Sequence, residues 1–468
     1  MTAVLRTTQS LCTTCKSVVP AELFERSAED DPARSEVWMR KHCEAHGTEE
    51  VRYWRDAALF SKLDKVVGDY TWCDTFECLT GTDCDRCVDK SYNIMLEVTT
   101  RCNLDCPVCC SDANAIYSEP PSIEQIVARL PPARKGLMGK LRRPNIVLFG
   151  GEASVRKDLP ELIEALVSRG YVPRLATNGV RMCDERYLKR LREAGLKWVI
   201  LQFDGFDDDV SEMLRGERLQ AMKMEAIEKM TAHGFKVQLG TMMVKGVNTK
   251  YAGDLIRFVT SHKDVFWLSF YPHAAQARSL LPTKQTFMSE MLAEIDAQTE
   301  GRITERDFLA TLKWLGRAYR VLRLPSLKAK HSTLPMVLMT DGKDYFPLVR
   351  LLNPLVALKN LPLVLRLLAS LPKALLYQES YTPPFLKFFV VEKFHSDQTV
   401  DLEEASNCHM AFMTANHYVP FDIYNIAYKQ AGAWDPPKPR KGHVRKEPQR
   451  IEPTVVPTAG LRLAQRSR

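Results

Sequence analysis

Eleven of the thirteen cysteines in this 468-residue chain lie between Cys12 and Cys110, and everything beyond holds only Cys183 and Cys408. Cysteines that serve as small hydrophobes are scattered through a sequence. Crowding of this kind points instead to thiolates that ligate zinc or iron–sulfur clusters. Residues Met1–Lys16 contain no apolar signal core, and no apolar run of about 18 residues follows. The expectation is a cytoplasmic chain in a reducing compartment, where structural disulfides are disfavoured.

The cysteines fall into three groups. Cys12-x2-Cys15 and Cys43-x2-His46 are two ligand pairs on tight turns, which suits a mononuclear tetrahedral site of zinc or rubredoxin-like iron. Gly47 would ease the second turn; the bland alternative is a chance pair of cysteines near a surface histidine. Cys73, Cys78, Cys84 and Cys87 put four thiolates into 15 residues, enough to close around an auxiliary [4Fe–4S] cluster or a second zinc. Cys408, far away in sequence, could replace one of them. The third group is Cys102-x3-Cys106-x2-Cys109, with Cys110 as an extra thiol of no assigned use. Three thiolates on four irons leave one iron open to a small molecule, whereas four close the site.

The chain divides by pattern into residues 1–60, the Cys/His module; 61–91, the Cys-rich connector; 92–275; 276–434; and 435–468. From Asn93 the pattern changes to short apolar runs: Asn93–Val98, Asn145–Gly150, Pro173–Asn178, Trp198–Phe203, Lys236–Val244 and Trp267–Pro272. Between them lie amphipathic stretches of helical length, so the segment predicts parallel β/α units with cover on both faces of the strands. Residues 276–434 read as helical and then leucine-rich. The last 34 residues, from Asp435 to Arg468, carry nine basic against three acidic residues and six prolines, and read as disordered. This tail holds most of the net +8, so the body is nearly neutral and nucleic acid is not an expected partner.

The three-cysteine loop, Thr99-Thr100-Arg101-Cys102-Asn103-Leu104-Asp105-Cys106-Pro107-Val108-Cys109, follows the first strand directly. Active sites of β/α barrels form at that end. Phe149-Gly150-Gly151-Glu152 ends the second strand, Thr177-Asn178-Gly179 the third, Gln202-Phe203-Asp204-Gly205 the fourth, and Val244-Lys245-Gly246-Val247-Asn248 follows the fifth. These motifs, in this order, resemble the radical S-adenosylmethionine (SAM) superfamily. The resemblance implies an α/β fold, a partial (β/α)6 radical SAM barrel, with the N-terminal Cys/His module and a mixed, leucine-rich C-terminal region attached. It implies a [4Fe–4S] cluster on Cys102, Cys106 and Cys109 and a SAM site lined by Gly150, Gly151, Glu152, Asn178, Gln202, Asp204 and Val244. The Gly-Gly-Glu motif would meet the methionyl amine and Val244 the adenine. A zinc knuckle would account for the cysteines but leaves Gly-Gly-Glu and the six-strand pattern unexplained. One departure is Val108, where many members have an aromatic residue.

The order of the Cys/His module, the connector and the cysteine loop is similar to one branch of that superfamily, the tetraether and membrane-spanning lipid synthases, often named as pterin methyltransferase-like proteins. Leu214-Arg215-Gly216, Cys408-His409 and Pro420-Phe421-Asp422 match further pieces, with Asp422 standing where the branch usually has cysteine. The implied activity is reductive cleavage of SAM for C–H activation on a lipid alkyl chain, with a ferredoxin- or flavodoxin-like electron donor. The alternative is a methyltransferase or tailoring enzyme acting on a small pterin-like heterocycle, and a third reading is a non-catalytic metal-binding scaffold. Phe346–Leu376 has 13 leucines in 31 residues, no acid, and Arg350, Lys359, Arg366 and Lys373 as its only charges. It is expected to line an acyl tunnel or to touch a membrane peripherally, against the plain alternative of a core helix.

Overall fold

The structure, a computed structural model, describes residues 4–67, 91, 93–115, 117–135, 141–274, 278–281, 285–322, 331–377, 382–415 and 418–428. Cys73, Cys78, Cys84 and Cys87, and the tail 435–468, lie outside the described residues.

The first unit is an antiparallel sheet of β1 (Val4–Leu11), β2 (Val18–Ser27), β3 (Ser35–Cys43) and β4 (Gly47–Trp54), in that spatial order. Gly47 has φ +78°, the left-handed conformation that the tight β3–β4 turn demands. Helix α1 (Ala57–Val67) follows and spans the expected boundary at residue 60.

Six parallel strands come next: β5 (Asn93–Thr99), β6 (Asn145–Gly150), β7 (Val172–Thr177), β8 (Trp198–Gln202), β9 (Lys236–Met243) and β10 (Val265–Pro272). Each pairs in parallel with the next, the arrangement of a partial (β/α)6 barrel. Helices α2 (Ile123–Ala128), α3 (Leu159–Ser168), α4 (Glu185–Glu193), α5 (Asp208–Arg215), α6 (Gln220–Ala232) and α7 (Ala252–Ser261) lie between these strands in sequence, and α8 (Met288–Gln298) and α9 (Glu305–Leu322) follow them. Alternation along the strands divides their side chains. Ile94, Leu96, Ile146, Leu148, Leu175, Val199 and Leu201 share one buried cluster with Leu162, Leu166, Leu188, Leu191, Ile227 and Met230 of the crossover helices. Met95, Val147, Phe149, Ala176 and Ile200 turn to the other face.

That other face is filled from the C-terminal region, which does not form a separate layer. Its strands β11 (Thr333–Thr340), β12 (Tyr345–Pro347) and β13 (Leu386–Glu392) extend the sheet beyond β10. β14 (Met410–Met413) and β15 (Tyr418–Pro420) extend it beyond β5. The eleven-stranded order is β12-β11-β13-β10-β9-β8-β7-β6-β5-β14-β15. Stacked rings run across the concave face, from Tyr271 to Phe394 at 4.9 Å, on to Phe421 at 4.9 Å, to Phe412 at 5.5 Å and to Tyr424 at 3.9 Å. The Tyr424 hydroxyl donates to the buried Glu97 carboxylate on β5 at 2.7 Å. The N-terminal sheet is docked on the same region: Thr8 donates to Asp401, Ser10 to the Val400 carbonyl and Tyr53 to Glu404, each at 2.7 Å.

Two prolines of the leucine-rich stretch fall at helix starts, while Pro372 lies inside a helix. Pro354 opens α10 (Pro354–Lys359) and Pro362 sits in the first turn of α11 (Leu361–Tyr377), where a missing N–H costs nothing. Its leucines face outward instead of lining the barrel: Leu355 is 76% exposed and Leu358 69%. Among the described residues, no helix is long and apolar enough to cross a membrane.

Candidate functional site

The N-terminal turns bring four ligand atoms together. The sulfurs of Cys12, Cys15 and Cys43 and the ring nitrogen of His46 all lie within 4.8 Å of one another. Sγ of Cys43 is 3.4 Å and Sγ of Cys12 3.6 Å from His46 Nδ1, and Cys15 Sγ is 3.9 Å from Cys43 Sγ. A tetrahedron with ordinary zinc bond lengths has edges of roughly 3.5 Å between S and N and roughly 3.8 Å between sulfurs. The four donors therefore fit one tetrahedral ion. The Ser17 side chain and backbone hold the Cys15 thiol down at about 6.

Cys102, Cys106 and Cys109 sit in the loop leaving the carboxyl end of β5, all partly exposed. Asn114 braces the loop: its side chain accepts from Cys102 N at 2.9 Å and donates to the carbonyls of Cys102 at 3.2 Å and Leu104 at 3.1 Å. Leu104 N–H points at Cys102 Sγ at 3.4 Å. The far flank is clamped by Arg278 and Ser279, which pair antiparallel with Cys109 and Val108. Burial pushes the Cys102 thiol up to about 12 and raises that of Cys106, with the other cysteines adding to the rise. Such thiols stay protonated until a cation takes the charge. Three soft donors on one loop, near enough to raise one another's thiols, are the kind of donor set an iron–sulfur cluster takes.

Gly150 and Gly151 let the end of β6 lie against this loop. Gly151 N donates to the Thr99 carbonyl and Glu152 N to that of Arg101, both at 2.8 Å. A Cβ on Gly151 would come within 2.2 Å of the Arg101 oxygen, and one on Gly150, at φ +143°, within 2.2 Å of the Thr99 oxygen. No other residue permits that approach. Glu152 is buried and its carboxylate accepts from Thr177 Oγ1 at 2.7 Å, Asn178 N at 2.6 Å and Ser154 N at 3.1 Å. It ties the end of β6 to the end of β7. Asn178 Nδ2 in turn donates to Asn103 inside the cysteine loop at 2.8 Å.

Asp204 is gripped by Arg215 and accepts from Gln202 Nε2 and from Met242 N at 3.1 Å. Arg215 also donates to the Val108 carbonyl between Cys106 and Cys109 at 2.9 Å. Burial alone would lower the guanidinium pKa, but Asp204 raises it on balance. Lys223, fully enclosed, donates to the backbone and side-chain oxygens of Gln202; burial brings it down to about 7. Val244 is buried against Val108, Val210 and Leu214, so its side chain packs behind the loop.

Arg215 and Lys223 as parts of this site, with Asn114 and Arg278, are what the motifs alone did not single out. A signal for Lys223 exists: with Ala226, Ile227 and Met230 it occupies the i, i+3, i+4, i+7 stripe that a helix buries. Cys408 is carried by the β14–β5 pairing (Met410 opposite Asn93) to the foot of β5, away from the cysteine loop at its other end. Cys110 is partly exposed beside Cys109, and desolvation raises its thiol to about 12.

A parallel barrel with three cysteines after its first strand and Gly-Gly-Glu after its second defines the class that joins SAM to an iron–sulfur cluster. The family comparison agrees: residues 96–259 match the radical SAM superfamily, and residues 4–55 match the HMPTM N-terminal zinc ribbon domain. This chain thus carries a radical SAM domain behind a zinc ribbon, and the superfamily implies a [4Fe–4S] cluster and SAM. A 7,8-dihydro-6-hydroxymethylpterin dimethyltransferase of Methanocaldococcus jannaschii is 35% identical over 327 residues, 64% of this chain and 60% of that protein. A GTP 3′,8-cyclase of Vibrio atlanticus is 30% identical over 176 residues, 36% of this chain and 50% of that one. The chain thus spans between half and three-fifths of the length of these two curated relatives. A distant likeness to solved structures includes SuiB of Streptococcus suis bound to S-adenosylmethionine, with 14% identity, TM-score 0.36, and 59% of this chain and 67% of that one covered.

Proposed function

We propose that this protein is a radical SAM enzyme that activates a C–H bond of a small, pterin-like heterocycle for methyl transfer or a related tailoring step. The carrying observation is the packing of the Gly150–Gly151 backbone against the loop that holds Cys102, Cys106 and Cys109, at the carboxyl end of the barrel. The name of the Methanocaldococcus relative supports the heterocycle over the lipid chain expected from sequence.

In this reading Cys102, Cys106 and Cys109 hold a [4Fe–4S] cluster, and the ends of β6 to β9 receive SAM. When bound and reduced by a ferredoxin- or flavodoxin-like donor, the pair supplies a 5′-deoxyadenosyl radical able to remove hydrogen from an unactivated carbon. The residues of this chain position and protect. Arg215 sets a cation near Cys106, which favours its thiolate, and Lys223 adds to this when protonated. Glu152 and Asn178 fix the strand ends around the loop, and the aromatic stack across the concave face keeps water from the barrel interior. Cys12, Cys15, Cys43 and His46 bind zinc as a folding element. An auxiliary cluster on Cys73, Cys78, Cys84 and Cys87 stays part of the proposal, and the place of Cys408 near the connector's exit makes it a fifth candidate ligand.

A lipid alkyl chain is the second reading, favoured by the outward leucines of α10 and α11. The deciding experiment reconstitutes the protein anaerobically and supplies SAM, a reductant and either 7,8-dihydro-6-hydroxymethylpterin or a total lipid extract, followed by mass spectrometry. Deuterium passing from labelled pterin, or methylation of it, supports the first reading; transfer from lipid alone replaces it with the second. If Cys106→Ala forms 5′-deoxyadenosine at the parent rate, the cluster assignment falls.

A further inference from the structure

The leucine-rich segment of α10 and α11 exposes more apolar surface than any other part of the described chain. Leu352, Leu355, Leu358, Leu361, Leu365 and Leu368 are between 45% and 76% exposed, and Leu371 is 46% exposed. A protein in water ordinarily buries such a set. At 3.6 residues per turn, Leu361, Leu365 and Leu368 fall within about 60° on α11, while Arg366 and Lys373 lie roughly 120° round the helix. The segment is held to the body at its base, where Arg350 meets Asp307 at 2.7 and 2.8 Å.

We propose that this segment is a docking surface for an anionic lipid membrane: the leucines enter the acyl boundary and Lys359, Arg366 and Lys373 meet headgroup phosphates. Charge decides among the occupants. Residues 346–376 contain no acid, so a second copy of this chain placed face to face would set cation against cation. The tail 435–468 is also basic and offers the surface no complement. An anionic bilayer satisfies both the apolar stripe and its basic edge. α11 has 17 residues and carries two charges, so it lies on the bilayer and does not span it. The inference goes beyond the proposed reaction and is independent of the substrate, since its readout is binding.

The test is flotation of the full chain with vesicles of phosphatidylcholine, alone or mixed with phosphatidylglycerol. The protein should float with the mixed vesicles, and less at high salt. L355S/L358S/L365S/L368S should lower the bound fraction about tenfold, with unchanged circular dichroism and metal content because these side chains touch solvent. R366E/K373E should abolish the preference for phosphatidylglycerol. Three results would overturn the proposal: no flotation of the parent chain; flotation of the leucine variant at the parent level; or a parent dimer that the leucine variant makes monomeric, which would assign the face to a second copy.

Discussion

Arg215 holds Asp204 through two parallel hydrogen bonds, Nε to Oδ2 at 2.7 Å and Nη2 to Oδ1 at 2.9 Å, while its Nη1 donates to the Val108 carbonyl. The pair is buried, and one guanidinium thereby joins the end of β8 to the turn between Cys106 and Cys109. Removing one partner of such a pair strands the other charge. Arg215→Met should cost about 3–5 kcal/mol of stability, read as a lower denaturation midpoint of the metal-loaded protein. Asp204→Asn in the Arg215→Met background should recover part of the loss, because it removes the stranded carboxylate. Additive losses would show that the two residues act separately.

Gly151→Ala offers a cleaner perturbation of the loop. The new Cβ would collide with backbone oxygen, which cannot swing aside as a side chain can. The expected outcome is loss of iron from the three-cysteine loop while the N-terminal metal is retained. Iron and zinc analysis of one preparation, with visible absorbance under anaerobic conditions, checks both halves.

Lys223 makes stability depend on pH in a predictable direction. Its amine titrates near 7 when folded, against an ordinary value of 10.5, because burial opposes its charge. Between those values the unfolded chain binds the proton and the folded chain does not, so stability rises with pH across that window. The slope approaches about 1.4 kcal/mol per pH unit from this one group. Lys223→Met should flatten the profile between pH 7 and 10.5. Denaturation midpoints across that range, compared for the two proteins, test it; parallel curves would assign the pH dependence elsewhere.

Metal removal should act first on the amino-terminal sheet. Structural sites of this kind contribute folding free energy directly. Cys43→Ala should lose one metal equivalent and expose the β3–β4 turn to proteolysis, with iron at Cys102, Cys106 and Cys109 unchanged. Limited digestion followed by mass spectrometry locates the cut.

The strands and metal turns were legible because their signals are local. Asn145–Gly150 is a strand with the bounds its apolar run suggests, since a short run with five of six residues buried, ending in a glycine pair, has few other uses. Cys12, Cys15, Cys43 and His46 announced a site because two-residue spacing on a turn already aims a pair of ligands. Glu152 was legible as a site residue, but the bonds its carboxylate makes were not. They come from Thr177 and Asn178, on a strand whose alignment beside β6 is a property of the sheet.

By itself, then, the sequence determined which residues are candidates for chemistry and which strands present them, because thiolate spacing and two-residue alternation act within a few bonds. Only the tertiary structure decided which groups meet across the fold. In sequence Arg215 is only part of the Leu214-Arg215-Gly216 match, without a role, until β8 and the cysteine loop close around it. Phe394, Phe412, Phe421 and Tyr424 look like a mixed terminal segment until the sheet curls and needs its concave face filled. The leucines of α10 and α11 have a core composition, yet a composition cannot say whether another layer lies above it. Their exposure follows from α10 and α11 leaving the β12 edge of the sheet, where the described chain places nothing over them.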